Sequence, residues 1–288
     1  MAFSDWARRA RHVPIVRIVL ATACVVGPAV ALRAVLSLLA LPAPVLAYAS
    51  TLGATVIGAL GYMAYVRGVE ARELTEFGRA GALRELALGV LLGLALFVAT
   101  VSSLALAGAF QLQSYGGWAS VARPLVGALM AAVLEEILFR GVLFRIVEQS
   151  LGTWRAVGIS ALLFGALHVL SPNPTWLGLV AIVFEAGILL AGAFVLTRRL
   201  WLPIGLHLAW NFAEGGIFGL AVSGSQSRGG LLRGVLTGPT WLTGGAFGAE
   251  ASAVAIGWCL IAASVLFVLA ARKGQIVAPR WRAGAAPA

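Results

Sequence analysis

Long apolar runs, broken by short polar or basic stretches, set the pattern of this chain. Residues 16–40 (VRIVLATACVVGPAVALRAVLSLLA), 86–110 (LALGVLLGLALFVATVSSLALAGAF) and 251–271 (ASAVAIGWCLIAASVLFVLAA) are the clearest. Each reaches the roughly 20 residues a helix needs to cross a hydrocarbon core. The full pattern predicts eight spans, at about 13–40, 44–66, 85–110, 123–146, 154–170, 175–197, 201–221 and 251–271. The expected fold is an all-α, polytopic transmembrane helix bundle. Between spans two and three, RGVEARELTEFGRAGALR (67–84) is polar and predicts a short amphipathic helix at the interface. The Gly/Ser-rich stretch 222–250 reads as an outer loop, partly ordered on the membrane surface, and the tail 278–288 as disordered. Three regions follow: N-terminal membrane helices (1–122), a central core (123–215), and an outer loop with the last helix and a basic tail (216–288).

Composition supports this pattern. Hydrophobic residues make up 60% and charged ones 11%, where a soluble domain is closer to half and a quarter. The net charge of +10 does not point to nucleic acid, because the basic residues flank the apolar runs instead of gathering in one stripe. With the N-terminus placed inside, 16 of the 21 Lys and Arg residues fall on inner segments. Only Arg123, Arg228 and Arg233 fall on outer ones. That bias predicts both ends in the cytoplasm and residence in the plasma membrane. The basic N-terminus resembles a signal peptide, but its apolar run exceeds the roughly 7–15 residues of a cleavable one, so it is read as a retained helix. Cys24 and Cys259 lie inside spans and predict no disulfide framework. Trp118, Trp154, Trp176, Trp201 and Trp241 fall near span ends, where an aromatic belt would sit.

Ionisable groups inside a membrane are costly and tend to be paired or functional. Span four carries Glu135, Glu136 and Arg140; span five His168; span six Glu185; span seven His207, Asn211 and, near its outer end, Glu214. Arg33 can snorkel to the interface. His12 is read as a surface residue and Glu214 as solvated. Glu185 is expected either to line a cavity or to pair with another helix. Glu136 and Arg140 stand four residues apart, so they share a helix face and can pair. Glu135 is turned about 100° away and is left free for a cavity. Phe164 and His168 have the same spacing, as do His207 and Asn211. A carboxylate and a histidine on different helices can activate a water. A second histidine and an amide can donate to an oxyanion.

These residues carry a resemblance. EEILFR (135–140) fits EExxxR, FGALH (164–168) fits FxxxH and HLAWN (207–211) fits HxxxN. In this order, on successive membrane helices, they resemble the CPBP family of intramembrane proteases. That family includes type II CAAX prenyl endopeptidases and bacterial relatives linked to bacteriocin processing and self-immunity. The motifs cover about 123–215. The resemblance implies a helix bundle of about eight spans around a polar cavity. Glu135 and His168 would hold and activate water, and His207 and Asn211 would stabilise the oxyanion. Glu136 and Arg140 would support the site as an ion pair. It also implies no catalytic metal. HExxH is missing from the sequence, although Glu135, His168 and His207 form a donor set that zinc could use. The expected partners are the lipid bilayer and a membrane-associated peptide or protein substrate, with no nucleic acid. The competing readings are a catalytically silent membrane scaffold or immunity partner of the same fold and, less favoured, a proton-relaying transporter.

Overall fold

A computed structural model describes residues 13–226 and 229–279. Readings that fall on Arg8, Arg9, Arg11, His12, Arg228, Arg280 and Arg282 lie outside the described residues. The fold is a bundle of long helices. They are α1 (Pro14–Ser37), α2 (Ala43–Tyr65) and α3 (Ala82–Leu106), then α4 (Ala122–Glu136), which runs through a π-helical segment, Ile137–Phe144, into α5 (Arg145–Leu151). Next come α6 (Thr153–Leu167) and α7 (Trp176–Ile182), the latter joined through a second π segment, Val183–Ile188, to α8 (Leu189–Thr197). Helix α9 (Trp201–Phe212) ends in a π turn, Ala213–Ile217. A short α10 (Thr240–Thr243) precedes α11 (Ala253–Arg272).

Among the described residues, six helices are long and apolar enough to cross a membrane. The other two predicted spans are helical as well, but α4–α5 holds Glu135, Glu136 and Arg140, and α9 with its π turn reaches only from Trp201 to Ile217. Trp176–Thr197 is the most enclosed span, with 67% of its apolar window buried, against 11% for each of the first two. The bundle is therefore built around α7–α8, and α1 and α2 leave most of their apolar surface to lipid. Trp118, Trp154, Trp176 and Trp241 are exposed, and Trp201 instead donates its indole N–H to the Gly78 carbonyl at 2.9 Å.

Helices α3 and α9 meet backbone to backbone. A Cβ on Gly205 would lie 2.4 Å from the Leu86 carbonyl oxygen, and one on Gly89 2.3 Å from that of Leu202. Small residues at such contacts let membrane helices close in where no hydrophobic drive separates them from lipid. This contact fixes the helix that carries His207 and Asn211.

Three expectations need correction. First, the fold is not purely α. Phe110–Tyr115 (β1) pairs antiparallel with Leu232–Leu236 (β2), Phe110 opposite Leu236 and Tyr115 opposite Leu232. Second, 67–84 forms no amphipathic helix. It contains a π turn, Val66–Glu70, and a three-residue 3-10 turn, Thr75–Phe77, because its acids turn inward to arginines. Glu70 meets Arg17 and Arg72 at 2.6 Å and Arg145 at 2.7 Å, and Glu76 meets Arg72 at 2.6 Å. Third, Glu214 is fully buried, not solvated. The segment after it folds back over the end of the bundle, burying Phe247, Ala249 and Glu250.

Candidate active site

Helix α4 delivers two adjacent carboxylates to different surroundings. Glu136 and Arg140 are buried, with Glu136 Oε1 accepting from Arg140 Nη1 at 3.1 Å. The other Arg140 nitrogen, Nη2, donates to the carbonyls of Ala186 and Gly187 at 3.0 and 3.2 Å. Both acceptors lie in the second π segment, and Arg140 itself lies in the first. Such wide turns interrupt the regular ladder and recur at functional sites. The Arg140 guanidinium also stands 4.8 Å from the centre of the Phe164 ring, within cation–π range. One residue of each motif thus touches the ion pair: Phe164 through its ring, and His207 through Nδ1, which lies 3.0 Å from Glu136 Oε1.

These contacts assign the ring protons. His168 Nδ1 is 2.8 Å from the Phe164 carbonyl oxygen. A carbonyl only accepts, so Nδ1 carries the proton and, in the neutral ring, Nε2 keeps its lone pair. In His207, Nδ1–H donates to the Glu136 carboxylate, and Nε2 lies 3.9 Å from Glu135 Oε2. Phe164 lies 5.1 Å from the His168 ring and 6.3 Å from the His207 ring, spacing the two imidazoles.

Two spaces meet here. An open cleft of about 840 Å³ runs between α2 and α4, and Glu135, His168 and Asn211 line it. Glu135, about a third exposed, borders it from α4, whereas Glu136 beside it is sealed off. Beside the cleft lies a smaller, more enclosed space of about 10 Å³, at the threshold for a single water. His168, His207, Asn211, Glu185, Ser223 and Glu250 are among its walls. His168, Asn211 and Ser223 border both spaces.

All six residues singled out in the motifs therefore converge: Glu136, Arg140 and His207 in direct contact, Glu135, His168 and Asn211 along one cleft. Glu185 lies on the wall of the smaller space. Sequence reasoning passed over Ser223 and Glu250, which sit in a stretch read as loop. The only signal there was an acid, Glu250, directly before an apolar span. Among the described residues, no group of three His, Cys, Asp or Glu side chains is placed to hold a metal ion.

Residues 117–213, about a third of the chain, match the family model described as Type II CAAX prenyl endopeptidase Rce1-like. The match spans all three motifs and agrees with the resemblance they carry. No curated protein matches the chain.

Proposed function

We propose that this multi-pass membrane protein is an intramembrane endopeptidase that hydrolyses a peptide bond with a water activated by Glu135 and His168. The observation that carries this reading is the shared cleft: Glu135, His168 and Asn211, from three separate helices, line one open space large enough for a peptide segment. The match to a prenyl-endopeptidase family supports peptidase chemistry.

In the proposed reaction, water bound between Glu135 and His168 attacks the carbonyl carbon of the substrate. Its proton passes to this pair as the carbon–oxygen bond forms, and the carbonyl electrons move onto oxygen. Asn211 donates to that oxyanion through its amide. His207 joins it as the imidazolium, since Nδ1–H is committed to Glu136 and Nε2 must also carry a proton to donate. Glu136 at 3.0 Å and Glu135 at 3.9 Å provide the counter-charge. Collapse of the intermediate breaks the carbon–nitrogen bond, and the leaving amine takes the proton held by the Glu135–His168 pair. Arg140 holds Glu136 in place. This scheme needs no metal, and the substrate is a peptide or protein tail delivered at the membrane, of CAAX type or otherwise. The chain works in the plasma membrane with both ends in the cytoplasm.

The test compares Glu135→Gln and His168→Ala with the parent protein, purified in lipid, on a library of membrane peptides. Both variants are expected to fold and to lose cleavage by about 10²–10⁴-fold. Cleavage that persists in both excludes this mechanism, and a folded parent that cleaves nothing favours a scaffold role. Metal analysis checks the remaining point: stoichiometric zinc whose removal and return switch activity off and on would replace the metal-free scheme.

A further inference from the structure

The segment just before the last helix contributes a buried acid to this site. Glu250 is 1% exposed and lies outside the matched residues 117–213. It lines the smaller space together with His168, His207 and Asn211. Its carboxylate accepts a hydrogen bond from the backbone N–H of Ser223. Phe247, three residues earlier, places its ring 6.5 Å from the His168 ring. Segment 247–250 therefore lies beside His168.

Ser223 is an unusual residue to hold this way. Its φ is 47°, a left-handed value that a side chain disfavours. Such conformations persist where the surroundings over-determine them, and here they do. Val222 and Ser225 exchange backbone hydrogen bonds at 2.9 and 2.8 Å, Gly224 N–H donates to the Phe247 carbonyl at 2.8 Å, and Asn173 Nδ2 donates to the Gly224 carbonyl at 2.8 Å. Glu250 supplies the remaining tie, and Ser223 borders both the smaller space and the cleft beside His168 and Asn211.

Glu250 is itself supported. Its backbone N–H donates to Glu214 Oε1 at 3.2 Å. Glu214, buried and otherwise without purpose, acquires one: it anchors Glu250.

We propose that Glu250 is a positioning residue of the hydrolytic site, tying the Ser223 turn to the last helix and walling in the His168 imidazole so that it faces the cleft. This rests on the endopeptidase reading, and one readout below does not. Three variants separate the possibilities. Glu250→Ala removes the tie. Glu250→Asp keeps the charge but withdraws the carboxylate by one methylene. Glu250→Gln keeps the length, with an amide oxygen to accept from Ser223, and leaves the backbone N–H that donates to Glu214. Glu250→Ala and Glu250→Asp are expected to lower kcat by at least about tenfold with KM within about twofold, while Glu250→Gln keeps at least about a third of the parent kcat. The second readout is the rate at which diethyl pyrocarbonate modifies His168, followed by mass spectrometry of its peptide. That rate is expected to rise at least about threefold in the Ala and Asp variants and to stay at the parent value in Gln. If Glu250→Ala does not fold, the Asp and Gln pair carries the comparison. Either readout unchanged in the folded Ala or Asp variant overturns the proposal, as does a Gln variant as impaired as Ala. Should the parent cleave nothing while the modification rates follow the expected order, the positioning stands and the endopeptidase reading falls.

Discussion

Replacing Arg140 by Met tests the core of the site. The guanidinium makes one charged hydrogen bond to Glu136 at 3.1 Å and two to the carbonyls of Ala186 and Gly187 at 3.0 and 3.2 Å, all buried. Met fills similar volume but returns none of them. Removing one partner of a buried ion pair costs about 3–5 kcal/mol, because the other charge is left behind. Here Glu136 retains His207 at 3.0 Å, which places the expectation near the lower end, about 3 kcal/mol. That is a more than 100-fold fall in the ratio of folded to unfolded protein. The second half of the experiment is Glu136→Gln combined with Arg140→Met. The lone carboxylate is then gone, and the double variant is expected to recover at least about 1 kcal/mol relative to Arg140→Met alone. Steric-trap unfolding in bicelles measures both, since it reads equilibrium stability without stripping the bilayer. A loss under about 1 kcal/mol in the single variant would refute the reasoning, and so would a double variant as unstable as the two single losses added. In either case the charges are not coupled, and the contacts around Arg140 do not carry the structure.

Three further outcomes are expected. Asn211→Ala should lower kcat by about 10²–10³-fold with little change in KM, as loss of one oxyanion donor does; equal losses in binding and turnover would move Asn211 to substrate docking. Gly205→Ala should destabilise by about 1–3 kcal/mol, because the new methyl meets backbone of α3 at 2.4 Å, read as a lowered thermal midpoint in detergent. Tyr62→Phe removes the hydroxyl that donates to the Gly141 carbonyl at 3.0 Å. That carbonyl still accepts from Arg145 Nε at 2.8 Å, so the cost should stay near 1 kcal/mol and be visible only in equilibrium unfolding.

The site was legible because it breaks a rule. A carboxylate, an arginine or a histidine within an apolar run stands out against lipid, and i,i+4 spacing says which side chains share a face. EEILFR, FGALH and HLAWN could therefore be found one helix at a time. Glu250 and Ser223 could not, because their burial depends on 222–250 folding back over the bundle, and no local periodicity records that return. The reading of Glu214 failed for the same reason. The β1–β2 pair was hidden by separation: Phe110 and Leu236 are joined only across four intervening long helical segments. In 67–84 the alternation of acids and arginines looked like a solvated face. Glu70 and Glu76 are instead held inside by arginines from α1, α5 and the linker itself. The π segments left no trace either, since the i+5 bond joins backbone groups that every residue but proline carries.

Those segments have a consequence for how the chain tolerates length changes. A π turn is a register slip stored within a helix. Upstream of Ile137–Phe144, Glu135 is indexed to the cleft and Glu136 to His207; downstream, Arg145 is indexed to Glu70 and Glu76. Each residue removed between them would swing one half about 100° against the other. Glu135, Glu136 and Arg145 would all survive such a deletion, yet the helix would behave as a key cut one notch short, able to satisfy the cleft or its anchor but not both at once.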